Sequence, residues 1–258
     1  MELNHVADGP DDAPVVVLSN SLGSDLRMWE PQVKPLVEHG FRVIRYDTRG
    51  HGGSPVPPGP YRVDDLGGDV LALLDGLGVA SAHFAGLSLG GMTGLWLAAN
   101  APERVRGLVL CCTSARPGNR QMWLDRAAKV RADGMAEIAD GSLGRWFTPA
   151  WVEAHPAEAV RLRDMTAATP AEGYASCCEV LADLDLVPES AGITAPTLVI
   201  SGADDHALPP GHGELIARTI PGARFEVVAQ AAHLGSYEQA ETFTELIIGH
   251  LKTQEAVA

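Results

Sequence analysis

The stretch Gly86-Leu87-Ser88-Leu89-Gly90 decides the fold of this chain. The apolar run Ala82 to Ala85 precedes it and predicts a buried strand, and the run from Met92 to Ala99 predicts a helix. A serine with a glycine two residues away on either side, placed between a strand and a helix, is typical of a nucleophile elbow. Such a turn holds its serine exposed in a strained backbone conformation. The glycines are needed because a larger side chain would collide with the neighbouring strand or helix.

The composition indicates a globular protein with an acidic surface. The chain has 258 residues, of which 46% are hydrophobic and 20% are charged, enough for one large core or two modest ones. Its 33 acidic and 19 basic residues give a net charge of −14, which disfavours nucleic acid and anionic membranes as partners. An anionic substrate would therefore need a locally basic pocket.

No apolar run reaches the length of a membrane span, and the N-terminus lacks the charged and apolar regions of a signal peptide. These features predict a cytoplasmic location. The four cysteines form two adjacent pairs, Cys111-Cys112 and Cys177-Cys178, without the C-x-x-C spacing of metal or redox sites. We interpret them as small buried apolar residues, and we expect neither a metal nor a cofactor.

Short apolar runs alternate with helical patterns along most of the chain. The predicted strands are 15–18, 41–44, 82–85, 108–111, 197–200 and 225–228, and the predicted helices are 31–38, 65–77, 89–100, 213–219 and 237–251. For the last helix, Ser236 is the predicted N-cap and Gln239 its capping partner. This alternation predicts an α/β fold, with a mainly parallel sheet that is flanked by helices on both faces.

The alternation stops between about Arg116 and Ser190, where helical patterns are interrupted by glycine and proline. We interpret residues 116–190 as a helical cap inserted into a core formed by residues 1–115 and 191–258. The cap would lie over the carboxyl ends of the strands, where open parallel sheets bind ligands.

A serine nucleophile needs a histidine base and an acid that orients the histidine. Asp204 and Asp205 follow one predicted strand and His233 follows the next, so both loops lie at the same edge of the sheet as Ser88. Spacing alone does not choose between the two aspartates. His206 adjoins them, but the base of this arrangement comes from the later loop, and His51 is interpreted as a hydrogen-bonded loop residue.

The oxyanion formed by the attack of serine also needs hydrogen-bond donors. The amide of Leu89, directly after the nucleophile, would supply the first. The second would come from the loop Ser19 to Gly23 after an early strand, and Leu22 is the candidate donor.

These motifs together resemble the α/β-hydrolase superfamily over nearly the whole chain. The matching stretches are Gly86 to Gly91, Asp47 to Ser54, Gly202 to Asp205 and Ala231 to Leu234. The stretch Leu18 to Trp29, with Asn-Ser-Leu-Gly where many relatives have His-Gly, more specifically resembles 3-oxoadipate enol-lactonases. The cap stretches Gly173 to Cys178 and Leu181 to Leu186 resemble the same family.

The resemblance implies Ser88 as nucleophile and His233 as base, and its G-x-x-D pattern selects Asp205 as acid. Relatives often have proline directly after that aspartate, where this chain has His206. The implied substrate is the enol lactone of 3-oxoadipate, which carries a free carboxylate and is opened through an acyl-enzyme during aromatic-compound catabolism.

An anionic lactone of this kind requires basic groups in the cap. Trp123 and Arg126 share a face of a predicted helix, and Arg145 and Trp146 offer a second pair, so these four are the candidate substrate-binding residues. Other functions on the same fold are a general carboxylesterase, a C-C bond hydrolase, a cofactor-free haloperoxidase, an acyltransferase or a non-catalytic ligand receptor. The sequence is also compatible with a homo-oligomer.

Overall fold

Seven strands form a single sheet in the computed structural model, which describes residues 1–255. Their order is β1-β3-β2-β4-β5-β6-β7, with β1 antiparallel to β3 and every other pair of neighbours parallel. The strands are β1 (His5–Asp8), β2 (Val15–Ser19), β3 (Arg42–Tyr46), β4 (Ala82–Leu87), β5 (Val105–Cys111), β6 (Thr197–Gly202) and β7 (Arg224–Val228). The predicted mainly parallel α/β sheet is confirmed, and β1 is an additional edge strand.

Thirteen α-helices connect and cover these strands in the described chain. They are α1 (Glu30–Glu38), α2 (Val63–Gly76), α3 (Leu89–Asn100), α4 (Arg120–Asp133), α5 (Ala136–Asp140), α6 (Leu143–Trp146), α7 (Pro149–Ala154), α8 (Pro156–Ala167), α9 (Ala171–Asp183), α10 (Val187–Ser190), α11 (Gly211–Thr219), α12 (Gly235–Glu238) and α13 (Ala240–Glu255). No helix among residues 1–255 is long and apolar enough to cross a membrane.

The sheet is buried on both faces, which explains why its strands lack a polar and apolar alternation. Within β2, Val15 and Val17 belong to the apolar cluster under α2 and α3. Val16 and Leu18 belong to the cluster under α1 and α13. Successive residues of one strand thus fill two separate cores, because side chains alternate between the faces of a sheet.

The turn between β4 and α3 depends on the absence of side chains at two glycines. Ser88 lies in it with φ of 55° and ψ of −115°, a region that L-residues rarely adopt. A Cβ atom on Gly86 would lie 2.2 Å from the Gly90 carbonyl oxygen, and one on Gly90 would lie 2.2 Å from the Ser19 carbonyl oxygen. Both obstacles are backbone atoms, so the predicted collision is confirmed.

The prediction for the last helix is partly wrong. The structure has the short helix α12, a break at Gln239 and then α13, with Ser236 inside α12 rather than at an N-cap. The Gln239 side chain donates to the Gln230 carbonyl oxygen at 2.8 Å instead of closing a capping box. The side chain of the residue before the break, Glu238, is turned toward the loop that bears His233.

Only helices, α4 to α10, lie between β5 and β6 in the described chain. We call residues 116–190 the helical segment. Helices α4 and α9 pack against each other, and the Arg131 guanidinium on α4 bonds Glu172 and Glu179 on α9. The four cysteines are free and buried, as predicted.

Replacing Gly90 by alanine tests the constraint at the turn. We expect Gly90→Ala to lower the free energy of unfolding by about 3 kcal/mol, because backbone atoms must move to admit the methyl group. The matched control is Gly249→Ala in α13, where a Cβ meets no atom within 4 Å and the residue is exposed. That change should raise stability by about 0.5–1 kcal/mol, since alanine favours helices over glycine. Denaturant unfolding of both variants measures the difference, and equal stabilities would contradict it.

Candidate active site

Ser88 lies at the carboxyl end of β4, directly before the first turn of α3. Its backbone N–H donates to the Cys111 carbonyl oxygen at 3.0 Å, and its own carbonyl oxygen accepts from the Thr113 hydroxyl at 2.7 Å. These bonds join the turn to the end of the neighbouring strand β5. The residue is 7% exposed, and its side chain lines a cavity.

His233 and Asp205 are in direct contact beside that cavity. His233 Nδ1 lies 2.8 Å from Asp205 Oδ2, and the two residues are 6% and 1% exposed. This bond fixes the tautomer with the proton on Nδ1 and leaves Nε2 free to accept a proton. Ser88 and His233 line the same cavity, although no hydrogen bond joins them within residues 1–255.

Of the two adjacent aspartates, Asp205 is the one that contacts His233, whereas Asp204 is exposed. The second oxygen of Asp205, Oδ1, accepts from the backbone N–H groups of Ala207 and Leu208 at 2.8 and 2.9 Å. These two bonds hold the carboxylate without the proline that relatives often have at the next position. The side chain of His206 is exposed, and it is not among the residues that line the cavity.

Two of the backbone amides near Ser88 that have no acceptor within the described chain are the predicted oxyanion donors. They belong to Leu22, in the loop after β2, and to Leu89, the first residue of α3. The amides around Leu22 are all occupied: Ser21 donates to Met28 Sδ, Gly23 to His51 Nε2 and Ser24 to the Ser21 carbonyl oxygen. Within the stretch Ser21 to Ser24 the amide of Leu22 is therefore the free one. The role of Leu22 and Leu89 as oxyanion donors stays a prediction.

His51 holds the loop that contains Leu22. Its Nε2 accepts from the Gly23 N–H at 3.0 Å, and its Nδ1 lies 3.2 Å from the Arg49 carbonyl oxygen. One nitrogen thus accepts and the other donates, which only a neutral imidazole can do. Burial lowers the pKa of His51, which favours that neutral form. His51 is a hydrogen-bonded loop residue, as interpreted from the sequence.

The cavity beside Ser88 has walls from both the sheet edge and the helical segment. It contains about 580 Å³ of empty space, a figure that includes its open mouth. All four predicted substrate-binding residues line it, namely Trp123, Arg126, Arg145 and Trp146. Apolar residues that the sequence did not indicate complete the lining, among them Met92, Ile138 and Leu208.

The two arginines in this cavity differ from all the others. Every other arginine within residues 1–255 has a carboxylate oxygen within 4.0 Å, whereas Arg126 and Arg145 have none. The Arg126 guanidinium lies 4.8 Å from the centre of the Trp123 ring. Arg145 donates to the Ile138 carbonyl oxygen at 3.0 Å, and burial lowers its pKa. Two cations without counter-ions make this cavity locally basic in an acidic protein.

Comparison with known proteins agrees with this architecture. The family model for the α/β hydrolase fold matches residues 14–240. The chain is 42% identical to 3-oxoadipate enol-lactonase 2 of Acinetobacter baylyi, over 97% of this chain and 93% of that protein.

Solved structures also match closely. The enol-lactonase of Burkholderia xenovorans LB400 is 47% identical, with a TM-score of 0.94 over 97% of this chain and 96% of that one. A thermophilic esterase from Thermogutta terrifontis with malate bound is 32% identical, with a TM-score of 0.92 over 98% and 93% of the two chains. The fold, the turn at Ser88 and these similarities together establish that the chain belongs to the α/β-hydrolase family.

Proposed function

We propose that this protein is a serine hydrolase that opens the enol lactone of 3-oxoadipate or a closely similar lactone with a free carboxylate. One observation carries this proposal. Arg126 and Arg145, which have no carboxylate within 4.0 Å in the described chain, line the cavity that also contains Ser88 and His233. A partly buried guanidinium without a counter-ion favours binding of a carboxylate. The similarity to 3-oxoadipate enol-lactonases supports the same substrate class.

In the proposed reaction, Ser88 attacks the lactone carbonyl carbon while His233 Nε2 takes the hydroxyl proton. The Ser88 side chain turns toward His233 for this step, since catalytic hydrogen bonds often tighten only in the substrate complex. Asp205 stabilises the imidazolium that forms, and the amides of Leu22 and Leu89 donate to the oxyanion.

Collapse of the tetrahedral intermediate breaks the ring C–O bond and leaves an acyl group on Ser88. The leaving group is an enolate, which is more stable than an alkoxide, so breaking the bond needs little help from an acid. The His233 imidazolium then gives its proton to the enolate, which becomes a ketone, and His233 is neutral again. His233 then deprotonates a water molecule that attacks the acyl-enzyme. The dicarboxylate product is released and Ser88 regains its proton.

In this proposal the helical segment acts as a cap over the active site. It supplies the arginines and tryptophans that hold the substrate, and the core supplies the groups that react. A cytoplasmic location, the absence of nucleic-acid and membrane partners, and the oligomeric state stay predictions.

Replacing the nucleophile tests the reaction. We expect the purified protein to consume 3-oxoadipate enol-lactone, followed by loss of the lactone absorbance, and Ser88→Ala to reduce the rate at least about 1,000-fold without loss of the fold. Simple esters and a carbamate, measured beside the lactone, report its selectivity. Equal turnover of the whole panel would indicate a general carboxylesterase, and full activity of Ser88→Ala would exclude the proposed mechanism.

The adjacent aspartates provide a matched pair. We expect Asp205→Asn to lower kcat about 1,000-fold or more, because the amide cannot stabilise the imidazolium and favours the wrong tautomer. Asp204→Asn makes the same chemical change one residue away on an exposed side chain, and its kcat should stay at the wild-type value. Steady-state kinetics of the two variants decides between them, and a reversed order of effects would assign the acid to Asp204.

The arginines are tested by their effect on substrate binding. Arg126→Ala or Arg145→Ala should raise KM for the anionic lactone, with a loss in kcat/KM of about 10-fold or more, because a charge-assisted hydrogen bond is lost. The same variants should hydrolyse an uncharged ester at nearly the wild-type rate. Arg120→Ala, on the same helix α4 as Arg126 but exposed and paired with Asp183, is the control. An unchanged KM in both variants would refute the carboxylate site.

A further inference from the structure

Glu238 is a buried carboxylate that has no cation beside it. The residue is 8% exposed, and among residues 1–255 no lysine, arginine or histidine nitrogen lies within 4.0 Å of its oxygens. Three hydrogen-bond donors surround it instead. The Ala232 N–H donates to Oε2 at 2.6 Å, and both the N–H, at 2.9 Å, and the hydroxyl of Thr148 donate to Oε1. A buried charge is costly unless it is bonded in this way, so its presence needs an explanation.

The two oxygens of Glu238 bind different parts of the protein. Ala232 directly precedes His233, whereas Thr148 belongs to the helical segment and caps the N-terminus of α7. A second bond runs in parallel, because the Leu234 N–H donates to the Trp146 carbonyl oxygen at 2.9 Å. The residues on both sides of His233 are therefore joined to the stretch Trp146 to Thr148.

The loop that bears His233 is confined on its other side by β6. A Cβ atom on Gly202 would lie 2.5 Å from the Ala232 carbonyl oxygen, so the two backbones are in close contact. The Cys112 thiol lies 3.8 Å from the same carbonyl oxygen. With the carbonyl of Ala232 packed against the sheet and its N–H bonded to Glu238, a shift of the Glu238 side chain would change where His233 stands relative to Asp205.

We propose that Glu238 is a positioning residue that couples the helical segment to the catalytic histidine. This inference rests on the proposed function, in which His233 is the base. Arg145 and Trp146, which line the cavity, precede Thr148 by three and two residues. The wall that would contact the substrate and the loop that carries the base are therefore held by one set of hydrogen bonds. These hydrogen bonds would thereby hold His233 in place relative to Ser88.

Glu238→Gln tests the coupling with little change in volume. Glutamine has one acceptor oxygen, and its amide group would face the backbone N–H of either Ala232 or Thr148, so one backbone hydrogen bond is lost in either orientation. We expect kcat to fall about 10- to 100-fold, since small misplacements of a catalytic group have effects of this size. KM should change less than about twofold, because the arginines stay in place.

The matched control is Glu30→Gln. Glu30 on α1 forms an ion pair at 2.9 Å with Arg161 on α8, so it also joins the core to the helical segment but does not touch the His233 loop. Its kcat should remain at the wild-type value. A second readout is the far-downfield proton resonance of His233 Nδ1–H, assigned by its absence in His233→Ala. It should broaden or shift in Glu238→Gln and stay unchanged in Glu30→Gln.

A wild-type kcat in Glu238→Gln would overturn the proposal. So would a loss of kcat that is matched by the unfolded fraction in thermal denaturation, or one with an unchanged His233 resonance. Should Glu238→Gln fail to fold, Thr148→Val removes the hydroxyl donor of the same link; a decrease in kcat supports the coupling and a wild-type kcat refutes it. An active Ser88→Ala enzyme would instead reject the proposed function, and the resonance would still report whether Glu238 places His233.

Discussion

The close approach of three backbone segments at Gly86, Gly90 and Ser19 is the constraint on which the rest of the site depends. It allows α3 to begin immediately after β4, and it keeps Ser88 in a backbone conformation that an unsupported chain would leave. The same approach brings the loop after β2 alongside the start of α3. The amides of Leu22 and Leu89 therefore lie on adjacent segments, and the serine and its candidate oxyanion donors depend on one packing arrangement.

The cavity differs from the remaining surface in its charge. A chain with a net charge of −14 has enough carboxylates to pair nearly all of its arginines, and it does so on the core and on the helical segment alike. The exceptions, Arg126 and Arg145, lie where carboxylates are absent from the cavity lining. A local positive potential inside an acidic protein favours binding of small anions in this cavity.

The sequence predicted the position of those residues that lie directly after a strand. Ser88, Asp205 and His233 come directly after short buried strands, so a parallel sheet brings them to one edge without further information. Strand β1 was missed because its middle residues, Val6 and Ala7, are exposed and only pairing with β3 defines it. The walls of the cavity were harder to predict. Helix α4 buries only Ala127 and Val130, so the hydrophobic pattern of its sequence does not reveal which side faces Ser88. Glu238 gave no signal, because its partners are distant in sequence or belong to the backbone.

The proposed roles of the core, which would supply the reacting groups, and of the helical segment, which would bind the substrate, have an evolutionary consequence. A family can change its substrates by exchanging the wall of a cavity while the reacting groups stay constant. In this protein the wall and the loop that bears His233 share hydrogen bonds at Trp146 and Thr148. A helical segment transplanted from a relative would thus have to bring a carbonyl group and two donors to the same places, or the histidine would lose its alignment. Changes at Trp123 and Arg126 on α4 would alter which substrate is bound without touching these hydrogen bonds, whereas changes where the segment meets the histidine loop would alter both.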